Sequence, residues 1–181
     1  MKTKLPPTKR KFAHNWEEIR YLHGKLLYWF YDRQLPTRAR LYAKRLKRLL
    51  DHADRDQESI LGQECRALIS EVTSDLRAAI AFREREINQI RKLHEITAHD
   101  QQASAARVDY GPDALSDRLD LLAGLYDQIG DTARAIRILL DSRDYCLRHR
   151  IPFDAQEMLD ELTECSGLSA INGRERRHKS A

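Results

Sequence analysis

The chain has 181 residues, of which 41% are hydrophobic and 33% charged, and it contains only 7 Gly and 5 Pro. This length suffices for one sizeable core or a short solenoid but leaves little room for a second full domain. The longest apolar run, Leu26 to Tyr31, is far shorter than the ~20 residues that cross a bilayer, so we expect a cytoplasmic protein without a membrane span. The scarcity of Gly and Pro favours helices over strands.

Charge is distributed unevenly along the chain. Residues 1–50 hold 14 Lys and Arg against 3 Asp and Glu, a net charge of +11, whereas residues 51–181 hold 18 against 25, a net charge of −7. The first quarter of the chain is therefore a basic module.

The N-terminal segment predicts a disordered arm followed by a helix. Residues 1–13 contain a proline pair and scattered lysines without apolar periodicity, which is typical of a disordered basic arm. Asn15 is placed to cap the first helix, with Glu18 three residues later, and this helix is predicted to end near Arg33. The aromatic run at residues 28–31 covers every face of that helix, which indicates a second contact surface or packing against two neighbouring helices.

Three further helices are predicted before residue 97. After a break at residues 35–37, apolar residues recur at helical spacing and predict an amphipathic second helix up to about residue 53. A third helix carries apolar residues from Ile60 to Val72, and Asp75 belongs to the segment that caps a fourth helix. Residues 97–110 have helix propensity without an apolar face, so they are either a helical extension or a linker.

The C-terminal half gives the clearest helix boundaries. Residues 111–113, Gly-Pro-Asp, predict the start of a fifth helix, and Gly130 with Asp131 ends it and caps a sixth. A seventh helix is predicted from residues 151–154, and the stretch 167–181 has the composition of a disordered basic tail. We therefore predict an all-α protein with one helical-hairpin domain over residues 14–166.

The fifth and sixth helices resemble a tetratricopeptide (TPR) repeat, in which large and small residues of one helix meet a small residue of the next. The residues that carry the resemblance are Leu119, Leu122, Ala123, Tyr126, Gly130, Asp131, Ala135, Ile136 and Leu139. Ser142 stands where the family usually has a small alanine, and Leu139 stands where it often has an aromatic residue. The resemblance is best over residues 115–149 and weak over 57–96 and 15–54, where the hairpins approach 40 residues against the family period of 34.

The resemblance implies a short right-handed solenoid of antiparallel hairpins, with a generic helical bundle or a charged coiled coil as alternatives. It also implies a non-catalytic adaptor that binds a protein or peptide in a groove and needs no cofactor. The groove residues expected on the inner helices are Arg83, Asn88, Tyr126 and Arg137.

The second helix predicts a different function, binding of an RNA or DNA phosphate backbone. Its cations fall opposite the apolar arc, so that six of them share one exposed face: Arg38, Arg40, Lys44, Arg45, Lys47 and Arg48. Like charges at i, i+3 and i+4 repel, and an anionic partner would relieve that repulsion. An acidic membrane surface, an acidic protein segment and a merely solvated basic face are the competing interpretations.

No sequence motif provides a firm basis for catalysis or metal binding. Phosphate-binding loops, nucleophile elbows and paired-cysteine metal motifs do not occur. Arg143 and Asp144 followed by His149 resemble the signature of HEPN ribonucleases, but several such spacings are expected by chance among 32 Lys and Arg. His94 and His99 would lie about 140° apart on a helix, which argues against a shared metal. We expect neither an enzyme nor a metalloprotein.

Overall fold

The computed structural model describes residues 15–52, 59–98 and 110–167. Within these ranges the chain is helical and no strand occurs, which confirms the all-α prediction. None of the described helices is long and apolar enough to cross a membrane. The predicted arm at 1–13 and the tail beyond residue 167 lie outside the described residues, as does the uncertain stretch 99–109.

The chain divides into two compact units, residues 1–89 and 90–181. The prediction of a single helical-hairpin domain over residues 14–166 stays a prediction. The helices of the described ranges are α1 (Asn15–Leu27), a π-helical turn (Tyr28–Asp32), α2 (Pro36–His52), α3 (Ile60–Val72), α4 (Leu76–Ala98), α5 (Pro112–Gln128), α6 (Thr132–His149) and α7 (Gln156–Cys165).

Side-chain caps account for three of the helix starts. The Ser59 hydroxyl accepts a hydrogen bond from the Gly62 amide at 3.0 Å, and the Asp75 carboxylate accepts one from Ala78 at 3.1 Å. Asp131 caps α6 in the same way, through the Arg134 amide at 3.2 Å. Each of these side chains supplies an acceptor for an amide that has no partner within its helix, so the polar breaks seen in the sequence fix the helix starts.

In the first unit, α1, α2 and α3 pack around one apolar core. Each helix contributes residues three and four positions apart, the spacing that places side chains on one helical face. The fully buried members are Ile19, Leu22, Leu26, Ala39, Ala43, Leu46, Leu50, Cys65, Leu68 and Val72.

The aromatic run forms a π-helical turn instead of the continued α-helix that the sequence predicted. The Arg33 amide donates to the Tyr28 carbonyl at 2.9 Å, five residues earlier, and this wider turn closes α1. Trp29 and Phe30 pack against the core of the first unit, whereas the side chains of Tyr28 and Tyr31 are both 38% exposed. Two rings of the aromatic run therefore pack against the core, and the other two are exposed.

The second unit is built on the antiparallel hairpin of α5 and α6, with α7 packed against α6. Gly130 has a φ of +82°, a left-handed conformation that glycine adopts without strain, and it makes the tight turn between the helices. Ala123 and Ala135 are both completely buried. Small side chains at both positions permit close approach of the helices.

Hydroxyl and thiol groups continue this seam of small residues towards the end of the hairpin. The Ser116 hydroxyl lies 3.3 Å from that of Ser142 and 3.0 Å from the Cys146 sulfur. Ser142 donates to the Asp120 carboxylate at 2.9 Å. Ser142, at the position that departs from the TPR pattern, is completely buried. It is a small residue, and its hydroxyl has hydrogen-bonding partners, as a buried polar group needs.

Candidate functional site

A groove of about 850 Å³ lies within the second unit. This volume is within the range of about 300–1,000 Å³ that is typical of ligand pockets, so the groove has room for several side chains of a bound segment. It is formed by the end of α4, the start of α5 and the end of α6. Its lining residues are Arg91, His94, Glu95, Leu115, Leu119, Asp141, Asp144, Tyr145, Leu147 and Arg148.

The apolar part of the groove has a buried floor and an exposed rim. Leu115 and Leu119 are 1% and 4% exposed and belong to the buried face of α5. Leu147, one of the last residues of α6, is 71% exposed, the largest exposure among the apolar side chains of the described ranges. A large aliphatic side chain left in water beside an apolar floor marks a surface that gains free energy when a second apolar group covers it.

His94 is held at one side of the groove by two hydrogen-bonding contacts. Its Nε2 atom lies 2.6 Å from the Tyr110 carbonyl oxygen, and the Tyr145 hydroxyl lies 3.4 Å from its Nδ1 atom. A carbonyl accepts only, so Nε2 donates, and the tyrosine hydroxyl can donate to Nδ1 in the neutral tautomer. Burial raises the pKa of Tyr145 above its ordinary value. The imidazole and the phenol are thereby oriented before any ligand arrives.

Both signs of charge line the remaining rim. Arg91 and Arg148 carry positive charge, and Glu95, Asp141 and Asp144 carry negative charge. Arg148 Nε also donates to the Asp144 backbone carbonyl at 3.2 Å, which restrains the guanidinium on its own helix. A rim of this kind offers donors and acceptors to the amide groups of a peptide, whereas it favours neither a purely anionic nor a purely cationic ligand.

Two of the four residues predicted to bind a partner do not face a groove. Arg83 is 2% exposed and Tyr126 is 4% exposed, so both are interior residues of their units, and their contact with a partner stays a prediction. Asn88 and Arg137 are exposed on α4 and α6, and neither lines the groove. The sequence reasoning missed the groove because Leu147 and Tyr145 look like ordinary members of an amphipathic helix.

Arg83 instead forms the centre of a buried ionic cluster in the first unit. Its guanidinium lies 2.7 Å from the Glu86 carboxylate and 2.8 Å from that of Glu71, and the Tyr31 hydroxyl donates to Glu71 as well. Burial by itself lowers the pKa of Arg83, but Glu86 and Glu71 together raise it above its ordinary value. Burial and the neighbouring Glu71 raise the pKa of Tyr31, so its proton stays in place.

The cations of α2 divide into engaged and unengaged residues. Arg45 forms an ion pair with Glu18, and Lys47 Nζ lies 3.0 Å from the Asp51 carboxylate. Arg40 Nε donates to the Val72 carbonyl at 3.3 Å, whereas Lys44 and Arg48 make no side-chain hydrogen bond or ion pair within the described ranges.

The sixth cation of this set, Arg38, has an aromatic partner. Its guanidinium carbon lies 4.6 Å from the centroid of the Trp29 ring, within the distance of a cation–π contact. Four of the six predicted cations, Arg38, Arg40, Arg45 and Lys47, therefore already contact protein groups, whereas Lys44 and Arg48 do not within the described ranges.

Arg143 and His149, the pair that resembles a ribonuclease signature, both lie on α6. Six residues of α-helix separate them by about 9 Å along the axis and about 120° around it. Arg143 Nε lies 3.9 Å from the Asp144 carboxylate, and the His149 ring lies 4.2 Å from the Tyr145 ring. In this arrangement each has a local partner on its own helix, and a catalytic role stays an untested alternative.

Among the described residues, no group of three His, Cys, Asp or Glu side chains is placed to hold a metal ion. Comparison with models of known protein families, with curated proteins and with solved structures gave no match. Within the described ranges, the groove of the second unit and the α2 surface of the first unit are the candidate sites.

Proposed function

We propose that the protein is a non-catalytic interaction adaptor whose second unit binds a short peptide segment of a partner protein in the groove between α4, α5 and α6. The observation that carries this proposal is the combination of a buried apolar floor, an exposed Leu147 and a pre-oriented pair of His94 and Tyr145. An apolar anchor of the peptide would cover the leucines, and its amide groups would bond to the polar rim. No cofactor takes part.

The packing of the hairpin supports a TPR-like fold for this module. The α5 and α6 helices meet along a seam whose members are all small, namely Ser116, Ala123, Ala135, Ser142 and Cys146, and all are buried. A repeat that stacks on its neighbours needs such close pairs, because each hairpin cannot bury its apolar face alone. We extend this proposal to a short right-handed solenoid of antiparallel hairpins.

A peptide selection tests the function without knowledge of the natural partner. A random dodecapeptide library displayed on phage is selected on the full-length protein, and enriched peptides are synthesised with a fluorescent label. Their dissociation constants are measured by fluorescence polarisation for the wild type and for Leu147→Glu. We expect the substitution to weaken binding at least about tenfold, because it places a charge against the apolar anchor.

Leu121→Glu is the matched control, since Leu121 is a helical leucine that is 37% exposed and lies outside the groove lining. It introduces the same charge in the same unit, and we expect the peptides to bind this variant as they bind the wild type. Peptides that bind all three proteins equally well would contradict the proposal, as would a library that yields no saturable binder. Circular dichroism melts verify that both variants remain folded.

A further inference from the structure

The surface formed by the π turn and α2 has two properties that the proposed peptide groove does not use. It carries cations without an ion pair within the described ranges, and it also carries aromatic rings in contact with a cation. We propose that this surface of the first unit binds single-stranded nucleic acid, with phosphates on Lys44 and Arg48 and an unpaired base stacked on Arg38.

The phosphate-binding part rests on Lys44 and Arg48. They lie one helical turn apart on α2, so their backbone positions differ by about 6 Å along the axis. Both side chains are exposed and have no ion pair within the described ranges. Two carboxylates of the same unit are engaged with other cations of α2, Glu18 with Arg45 and Asp51 with Lys47. The positive charge of Lys44 and Arg48 is available to an external anion.

The base-stacking part is a row of two aromatic rings with a cation at either end. Lys25 Nζ lies 5.8 Å from the centroid of the Tyr28 ring, the Tyr28 and Trp29 rings meet edge to face at 5.0 Å, and the Arg38 guanidinium lies 4.6 Å from the Trp29 ring. The Arg38 side chain nevertheless remains exposed. An exposed planar guanidinium is a stacking surface for an unpaired base.

The π turn explains why this row exists. In the wider turn Trp29 and Phe30 both reach the core, while Tyr28, at the edge of the row, stays 38% exposed. Aromatic rings and guanidinium planes bind bases that are free of pairing, and cations track the backbone, which together are the features of sites for single strands. An acidic peptide would use the cations alone and would leave the stacked surface uncovered.

The first experiment measures the phosphate contacts on the full-length protein with a fluorescein-labelled twelve-nucleotide oligouridine. Fluorescence anisotropy gives the dissociation constant between 50 and 300 mM KCl for the wild type and for the double variant Lys44→Gln with Arg48→Gln. We expect affinity to fall about tenfold and the slope of log affinity against log salt to shrink by about 1.4, at about 0.7 for each lost phosphate contact. Glutamine preserves helix propensity, so the fold is retained.

A matched double variant, Arg77→Gln with Lys92→Gln, removes an exposed arginine and an exposed lysine from α4 and makes the same change in net charge. We expect it to change the affinity by no more than about twofold, because long-range attraction between exposed charges is screened by salt. An equal loss in the two double variants would overturn the proposal, since the effect would then be one of net charge. Unchanged affinity after loss of Lys44 and Arg48 would overturn it as well.

The second experiment isolates stacking with Arg38→Lys, which keeps the charge and removes the plane. We expect binding of oligouridine to weaken at least about fivefold, the lower limit for loss of one stacked base. Binding of inorganic polyphosphate, which has no bases, should not change. An equal effect on both anions, or none on either, would refute base stacking.

The same assay distinguishes the other anionic partners. Poly-glutamate of matched length and vesicles rich in phosphatidylserine are titrated as competitors of oligouridine. Competition by either at the same charge concentration as unlabelled oligouridine would show a general anion surface and would overturn the proposal for nucleic acid. Leu147→Glu, the groove variant, should bind oligouridine as the wild type does. The peptide proposal and the nucleic-acid proposal can therefore fail independently of each other.

Discussion

The two units bury different kinds of polar group in their interiors. The first unit buries full charges, with Arg83 between Glu71 and Glu86. The second buries small neutral groups, the hydroxyls of Ser116 and Ser142. A buried charge is strongly penalised when one partner is lost, whereas a hydroxyl is penalised much less. The first unit should therefore be sensitive to charge and the second to side-chain volume, although both are helical throughout their described parts.

The sharpest test of this contrast is Arg83→Met. We expect the free energy of unfolding to fall by about 3–5 kcal/mol, since two buried carboxylates would lose the cation that compensates them. Urea denaturation followed by circular dichroism measures it. Arg77→Met on the same helix, where the side chain is exposed, should change stability by less than about 0.5 kcal/mol. A small loss of stability for Arg83→Met would mean that the buried ionic cluster contributes little to the stability of the first unit.

The corresponding test in the second unit changes the volume of a buried side chain without changing its charge. Ala135→Leu should lower stability by about 1–3 kcal/mol, because Ala135 is completely buried where α5 and α6 approach each other. Ala133→Leu, two residues earlier at an exposed position of α6, is the control and should be nearly neutral. Thermal unfolding of both variants measures the difference, and a neutral Ala135→Leu would remove the basis of the close helix contact.

Asp120 is the exception to the neutral interior of the second unit, and its effect depends on pH. Burial raises the pKa of Asp120 to about 6, a rise to which Asp117 and Asp154 contribute, although the hydrogen bond from Ser142 opposes it. Between pH 4 and 6 the folded protein therefore binds a proton that the unfolded chain has released. Stability from this group is fully present below about pH 4 and is lost as the pH rises through 6.

Asp120→Asn should remove this pH dependence, because the amide is neutral and its oxygen can still accept the bond from Ser142. We expect the variant to be more stable than the wild type at pH 7 by about 1 kcal/mol, a value reduced from the full shift because the carboxylate is partly in contact with solvent. Unfolding free energies at pH 4.5 and 7 measure it. Asp141→Asn, at an exposed position, is the control and should leave the pH profile unchanged.

The smallest expected effect concerns an ion pair on the surface of the first unit. Lys47→Gln removes the exposed partner of Asp51, whose own side chain is 44% exposed. Such i,i+4 pairs contribute about 0.3–0.5 kcal/mol, and their contribution disappears in high salt. A loss above about 1 kcal/mol in urea denaturation would show that charge at the surface matters to the first unit as much as charge in its interior.

Helix existence and most helix boundaries followed from the sequence because their causes are local. Asp75 and Asp131 precede the helices they cap, and the apolar stripe of α2 reappears as its buried residues. The burial of Arg83 did not follow from the sequence for a physical reason: arginine is usually exposed, and its partner Glu71 is twelve residues away. One local signal was available, since Arg83 lies within the apolar stripe that includes Ala79 and Ile90.

The candidate sites depended on information that sequence spacing does not contain. The six cations of α2 were placed correctly on one helix, but their division into paired and unpaired side chains depends on α1 and α3, through Glu18 and Val72. The peptide groove needs three helices from distant parts of the chain, including His94 and Tyr145, which are 51 residues apart. Whether two residues 51 positions apart in the sequence lie close together is determined by the tertiary structure.

The π turn at Tyr28–Asp32 also determines which changes of chain length the first unit can absorb. A π turn holds more residues per turn than an α-helix and is equivalent to an α-helix with one residue inserted. Deleting a single residue there would restore ordinary helical geometry, so the damage should be confined to the aromatic row. The same deletion early in α2 would rotate every later side chain by about 100°, which would place Lys47 and Asp51 where Leu46 and Leu50 are now buried. The π turn is therefore the place where this part of the sequence could gain or lose a residue while the core it precedes keeps its register.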